Sequence, residues 1–116
     1  MLIFTTSIYP AHQADKVAQK FIEVVAKYPP NPELGEDLVR AAVRATHEGT
    51  RVTSVFRAKE GKLDAALKRI GEMMVEFRTI EGFRTQTDVN LELEEAMSLL
   101  GLATPCLLYT SPSPRD

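Results

Sequence analysis

Hydrophobic positions change period several times along this chain, and each change marks an element. Residues 2–9, LIFTTSIY, are short, apolar and rich in β-formers, which predicts a strand closed by Pro10. The next stretch places Ala14, Val17, Ala18, Phe21, Val24, Val25 and Tyr28 at i, i+3, i+4, i+7 spacing, one buried stripe of a helix. Pro29, Pro30 and Pro32 end it, because proline cannot continue a helix and restrains the residue before it. Residues 38–58 predict a hairpin turning at Glu48-Gly49. Pairing outward from that turn sets 47 opposite 50, 45 opposite 52 and 43 opposite 54. One face then carries Val39, Ala41, Val43, Ala45, Val52, Ser54, Phe56 and Ala58, small and apolar enough to pack under helices. The other carries Arg40, Arg44, Thr46, Arg51, Thr53, Val55 and Arg57. A slip of one residue would mix the two sets.

After Gly61, Leu63, Ala66, Leu67, Ile70, Met73, Met74 and Phe77 repeat the helical stripe. Gly82 leads into a strand over 83–89, where Phe83, Thr85, Thr87 and Val89 alternate with Arg84, Gln86 and Asp88. Residues 91–100 close the pattern as a short acidic helix. Its Glu92, Glu94 and Glu95 fall in the first turns, where the helix dipole favours carboxylates. Gly101 reads as its C-cap, with Leu102 as hydrophobic partner. The order is β-α-β-β-α-β. It predicts an α+β, ferredoxin-like domain: an antiparallel four-stranded sheet, two helices on one face and a short C-terminal helix. The bare face of such a sheet needs a cover, a ligand or solvent.

The strings EGKLDAALKRI (60–70), IEGFRTQTD (80–88) and EEAMSLLGL (94–102) resemble small bacterial proteins of the dimeric α/β-barrel superfamily. That resemblance covers most of residues 1–102 and contains no catalytic motif. It implies a homodimer pairing two sheets face to face into a barrel, with a ligand cavity in each half in many members. It also implies a range of roles: cofactor-independent monooxygenases, isomerases and dehydratases, haem binders, and members without activity. None of the characterised active-site patterns can be placed on this chain residue by residue.

Residues 106–116, CLLYTSPSPRD, resemble one reading frame of a transposase adapter used in preparing sequencing libraries. The expected domain is therefore 1–105, from an environmental (metagenomic) reading frame, with 106–116 a non-native, disordered tail. Removing the tail takes one cation and one acid, so the net charge of −2 is unchanged. It also takes Cys106, the only cysteine. No disulfide or thiolate chemistry is then available to the domain. No apolar run approaches the ~20 residues of a membrane-spanning helix, and the N-terminus lacks a signal-peptide pattern. The expected setting is the cytoplasm, without membrane contact.

Charge supplies the best chemical lead. Residues 38–59 hold Arg40, Arg44, Arg51, Arg57 and Lys59 against Glu48, a net +4 in an otherwise acidic chain. Such segregation focuses a positive potential on one sheet face. Guanidinium groups suit planar, bidentate oxyanion partners. The candidate ligand set is Arg40, Arg44, Arg51, Arg57 and Thr53, with Tyr9 and His47 beside it, for an anionic small molecule. The plainer reading is a solvated or internally paired polar face, with Asp88 or Glu48 among the partners. His12 and His47 have no His-His or His-Glu spacing that builds a metal site, so no metal and no cofactor are expected. Met73 and Met74 read as core filler. Nucleic acid is disfavoured, because the hairpin offers Thr53 and Val55 between arginines and no aromatic for base stacking. Three readings stay open. The first is a small-ligand-binding or accessory protein, with catalytic residues unknown. The second is a cofactor-independent monooxygenase or isomerase. The third is a structural dimerisation module.

Overall fold

A computed structural model describes residues 1–102; the tail 106–116 lies outside the described residues. In chain order the elements are β1 (Leu2–Tyr9), α1 (Ala14–Lys27), β2 (Gly35–Thr46), β3 (Gly49–Ala58), α2 (Leu63–Val75), β4 (Arg84–Asn90) and α3 (Leu93–Leu99). A 3-10 turn at Ala11–Gln13 precedes α1, and another at Glu76–Thr79 extends α2. The sheet runs β2-β3-β1-β4, every neighbouring pair antiparallel. This is the ferredoxin-like α+β fold that the order of elements predicts.

β1 sets the two faces. Its burial alternates strictly, as the period of two in a strand requires. Ile3, Thr5, Ser7 and Tyr9 lie buried under the helices, whereas Leu2, Phe4, Thr6 and Ile8 look out on the bare face. Two core clusters form beneath the helices. At one end Tyr9 packs with Val17, Val24, Phe77 and Ile80. At the other Ile3 packs with Ala58 and Ala66. The helical stripes read from the sequence supply these contacts. Phe77 keeps its place in the stripe although it sits in the 3-10 extension, and its ring stacks on Phe83 at 4.9 Å. Each fully buried side chain of this size contributes roughly 1.5–3 kcal/mol.

The hairpin differs from expectation in register. Its turn is His47-Glu48, between the paired Thr46 and Gly49. Thr46 Oγ1 closes it, donating to the Gly49 carbonyl at 2.7 Å and accepting the Glu48 N–H at 3.2 Å. Ala45 therefore faces Thr50 rather than residue 52, and Val43 faces Val52 rather than residue 54. The shift is two residues, an even number, so Arg44, Thr46, Arg51, Thr53 and Val55 still share a face. Gly49 opens β3 instead of turning it. Its φ is +132°, and a Cβ there would lie 2.4 Å from the Tyr9 carbonyl oxygen. The close approach of two backbones explains the glycine.

β2 is also longer and less regular than expected. It begins at Gly35, and its register shifts between Asp37 and Val39 and again between Val39 and Ala42. Extra residues at such bulges bend and twist a strand locally. Val39 consequently pairs with Val55 on the bare face, not with the helix-facing set. The residues of β2 between Gly35 and Thr46 are exposed, so the small apolar face expected under the helices is covered along β3 but not along β2. α3 starts two residues later than predicted, on a capping box between Glu92 and Glu95. Gly101, at φ +75°, ends it as expected, and the Leu102 N–H reaches back to the Met97 carbonyl at 3.0 Å.

Ile3→Ala, which empties a site only 1% exposed, is expected to cost about 2–5 kcal/mol in urea unfolding. Ile22→Ala, at 69% exposure on α1, should change stability by less than about 0.5 kcal/mol. Equal effects would mean that β1 does not carry the core.

Candidate functional site

A hollow of about 670 Å³ lies between the helix layer and the uncovered part of the sheet. Small side chains create it. Thr5, Ser7, Ala41 and Ser54 line it where larger apolar residues would fill the space. Their polar atoms are partly committed. Ser7 Oγ donates to Thr85 Oγ1 at 3.2 Å, and Ser54 Oγ donates to the Arg40 carbonyl at 2.7 Å. Phe21 and Val25 of α1 and Ile70 and Met73 of α2 form apolar walls. The volume falls in the roughly 300–1,000 Å³ range of small-molecule sites.

The proline loop after α1 makes one lip. Arg69 donates from Nη2 to the Pro29 carbonyl, and its guanidinium lies 5.7 Å from the Tyr28 ring centroid. Lys27 Nζ meets Glu76 Oε2 at 2.7 Å, tying the end of α1 to the extension of α2. That hydrogen bond and charge hold the Glu76 carboxyl below the usual range and raise Lys27.

The opposite face of the sheet reads as four rows across the strands. Asn90, Leu2, Arg57 and Glu36 form the first, and Asp88, Phe4, Val55 and Val39 the second. Gln86, Thr6, Thr53 and Ala42 form the third, and Arg84, Ile8, Arg51 and Arg44 the fourth. Its middle mixes apolar and uncharged polar side chains with a single charge, Asp88, and its arginines sit at the two ends.

The residues singled out from the sequence therefore separate. Arg44 and Arg51 come together as direct cross-strand partners, with Thr53 in the adjoining row. Arg57 stands at the far end and is not free for a ligand. Its Nε lies 3.1 Å from Glu92 Oε1, its Nη2 3.0 Å from the same oxygen, and its Nη1 3.2 Å from Glu36 Oε1. The sequence marks Glu92 only as a dipole-favoured residue at the start of a helix; no short-range pattern announces its pairing with Arg57. Tyr9 points to the helix side, buried, its ring stacked on Phe83 at 6.2 Å. Arg40 lies in the bulged stretch of β2 and lines the hollow, on the other side of the sheet from Arg44 and Arg51. His47 is exposed in the hairpin turn, and His12 is exposed in the 3-10 turn before α1. Among the described residues, no three His, Cys, Asp or Glu side chains cluster as metal ligands, and no helix is long and apolar enough to cross a membrane.

No protein-family model matches the sequence, and a comparison with curated proteins finds no match. Among solved structures, the chain is similar to a formyltetrahydrofolate deformylase from Pseudomonas putida KT2440, at 6% identity and a TM-score of 0.45. That likeness covers 77% of this chain but 28% of the deformylase, so the chain spans under a third of it. It is also similar to an antibiotic biosynthesis monooxygenase candidate from Caulobacter crescentus CB15, at 15% identity and a TM-score of 0.47, covering 78% of this chain and 90% of that one. A third likeness is to an uncharacterized NIPSNAP-like domain protein from Burkholderia xenovorans, at 15% identity and a TM-score of 0.41, covering 79% and 87%. The fold assignment rests on strand order and register.

α3 hangs on acid–base contacts, which makes it sensitive to pH. The Glu95 carboxylate accepts the Glu92 N–H at 2.9 Å and meets the Met1 ammonium at 3.0 Å, and both hold its pKa below the ordinary 4.5. A depressed folded-state pKa gives stability that is full above the unfolded value and lost as pH falls through the folded one. Hydrogen-exchange protection of α3, corrected for intrinsic rates, is expected to fall below pH 4.5 while that of β1 persists. Arg57→Ala should loosen α3 at neutral pH in the same way. Unchanged protection in both cases would show that α3 is held by other contacts.

Proposed function

We propose that this chain binds a small organic anion in the hollow, its apolar body between the helices and the sheet and its charged end at the Arg40 rim. The hollow itself carries the reading: about 670 Å³, walled by apolar side chains and edged by an arginine. Glu36 and Asp37 also line the rim; Arg57 holds Glu36, whereas Asp37 forms no ion pair among the described residues and opposes an incoming anion, which leaves the attraction to Arg40. Apolar burial supplies affinity, and Arg40 orients the ligand; Arg69, the other cation lining the hollow, is already engaged with the Pro29 carbonyl. Naphthoate and dodecanoate, with the matching alcohols as neutral controls, test this by calorimetry and thermal shift. A ligand at one hundred times its dissociation constant adds about 2.7 kcal/mol of stability. Ala18→Phe, an exposed wall position of the hollow, is expected to abolish binding of both acids and alcohols. Arg40→Ala should weaken the acids alone, by about 1.5–3 kcal/mol. Wild-type binding by Ala18→Phe would place the ligand elsewhere; no binding of any probe would remove the proposal.

The bare sheet face supports a second reading, as the seat of another copy of the chain. Leu2, Phe4, Ile8 and Val55 are only half-buried there, and Val39 is 39% exposed, on a face that α1 and α2 leave uncovered. Two-fold pairing would bury that apolar middle against itself. Light scattering at micromolar concentration should give about twice the 12.9 kDa chain mass. Phe4→Asp should give monomers that retain native circular dichroism. A wild-type monomer would overturn the pairing.

A further inference from the structure

The row nearest the hairpin turn carries Arg84, Ile8, Arg51 and Arg44 across all four strands. Arg44 and Arg51 are direct cross-strand partners, an arrangement in which like charges repel. The one carboxylate nearby is Glu48, whose Oε1 is 3.8 Å from Arg51 Nη2 and whose side chain is 71% exposed. Among the described residues, neither Arg44 nor Arg84 forms an ion pair. Arg51 Nε is buried and has no hydrogen-bond partner among them. A buried donor on a cation without an acceptor is costly, so a missing acceptor is the simplest account of this atom. The acids at the other end of the face do not supply it. Glu36 and Glu92 are taken by Arg57, and they lie six residues along the strands, about 20 Å away.

We infer that this row is a binding site for a doubly charged oxyanion of the phosphate-monoester type. Three guanidinium groups face one carboxylate, so a dianion brings the row close to neutrality. Arg51 offers its exposed terminal amine, a turn of its side chain away from Glu48 opens Nε as the second of a parallel pair of donors, and Arg44 approaches from the next strand. Arg84 stands one strand beyond Ile8 and adds to the local potential. Glu48, on its mobile-length side chain in the turn, is the internal competitor that the oxyanion displaces. The site is on the opposite side of the sheet from the hollow, so it goes beyond the ligand proposed there and can fail independently of it.

Inorganic phosphate is the probe, measured by calorimetry and thermal shift at constant ionic strength set with sodium chloride. Wild type is expected to bind one phosphate per chain and to gain more stability than in chloride alone. Arg44→Ala and Arg51→Ala should weaken phosphate by about tenfold or more. Arg51→Lys, which keeps the charge but has no Nε, should also weaken it and guards against a folding defect in the alanine variant. Glu48→Gln should tighten binding about two- to fivefold, the worth of an exposed ion pair removed from competition. Naphthoate binding in the hollow should be the same in all four variants. An equal response to chloride and phosphate would overturn the site. So would phosphate binding by Arg51→Ala at wild-type strength. Loss of dimer in Arg44→Ala without any phosphate effect in wild type would assign the arginines to contact between copies instead.

Discussion

The double pairing of β1 is the constraint on which the rest of the structure depends. Along one edge it matches β3 from Leu2↔Arg57 to Tyr9↔Thr50, and along the other it matches β4 from Leu2↔Asn90 to Ile8↔Arg84. A strand held on both edges cannot slip without breaking two ladders, so its side-chain phase is fixed. Odd residues then meet the helices and even residues form the bare face. Every other element takes its phase from this one. Arg51, Thr53 and Val55 look outward because Ile8, Thr6 and Phe4 do.

The same strand explains how the domain keeps a hollow and a core together. Its ends are clamped by two separate clusters, Tyr9 with Phe77 and Ile80, Ile3 with Ala58 and Ala66. Between them stand Thr5 and Ser7, whose short side chains leave space beneath the helices; Ser7 meets α2 only through the long Met74 side chain, its Oγ 3.9 Å from the sulfur. Interiors are packed to near-crystal density, and a void in the middle of a cluster would be expensive. Placing it between two clusters, and opening it toward β2, avoids most of that cost. The ligand-sized space is thus a consequence of where small side chains fall along one strand.

Much of this was legible in the chain, and the failures have physical causes. Both helical stripes were readable because amphipathic period survives any tertiary arrangement. The alternation of β4 marks its two faces through the pairing with β1, although all seven of its residues are exposed. The hairpin register was not, because Gly49 looked like a turn glycine; it is required instead by the approach of the Tyr9 carbonyl, a contact across 40 residues of sequence. The bulges in β2 carry no glycine or proline signal between residues 38 and 41, so Val39 and Arg40 were set on the wrong sides. Phe4 is an aromatic on the bare face of a central strand, beside Val55, and the hairpin sequence alone carries no sign of it. Arg57 and Glu92 are 35 residues apart, and local pattern says nothing of such pairs. The gathering of Arg44 with Arg51 was legible, since an even error in register leaves faces unchanged.

The two irregularities in β2 separate the inheritance of its rim end from that of its arginine end. Deleting one residue between 38 and 41 would remove a bulge and re-phase only the segment leading back to the proline loop. The pairing from Ala42 to Thr46, and with it the arginine row, would keep its register. Lineages could therefore alter the rim of the hollow, and with it the outer-face positions of Glu36 and Val39, by gaining or losing a residue here, with the arginine row untouched. Point substitutions would be the means of changing that row. One strand in this way offers two independent routes of divergence, one through length and one through identity.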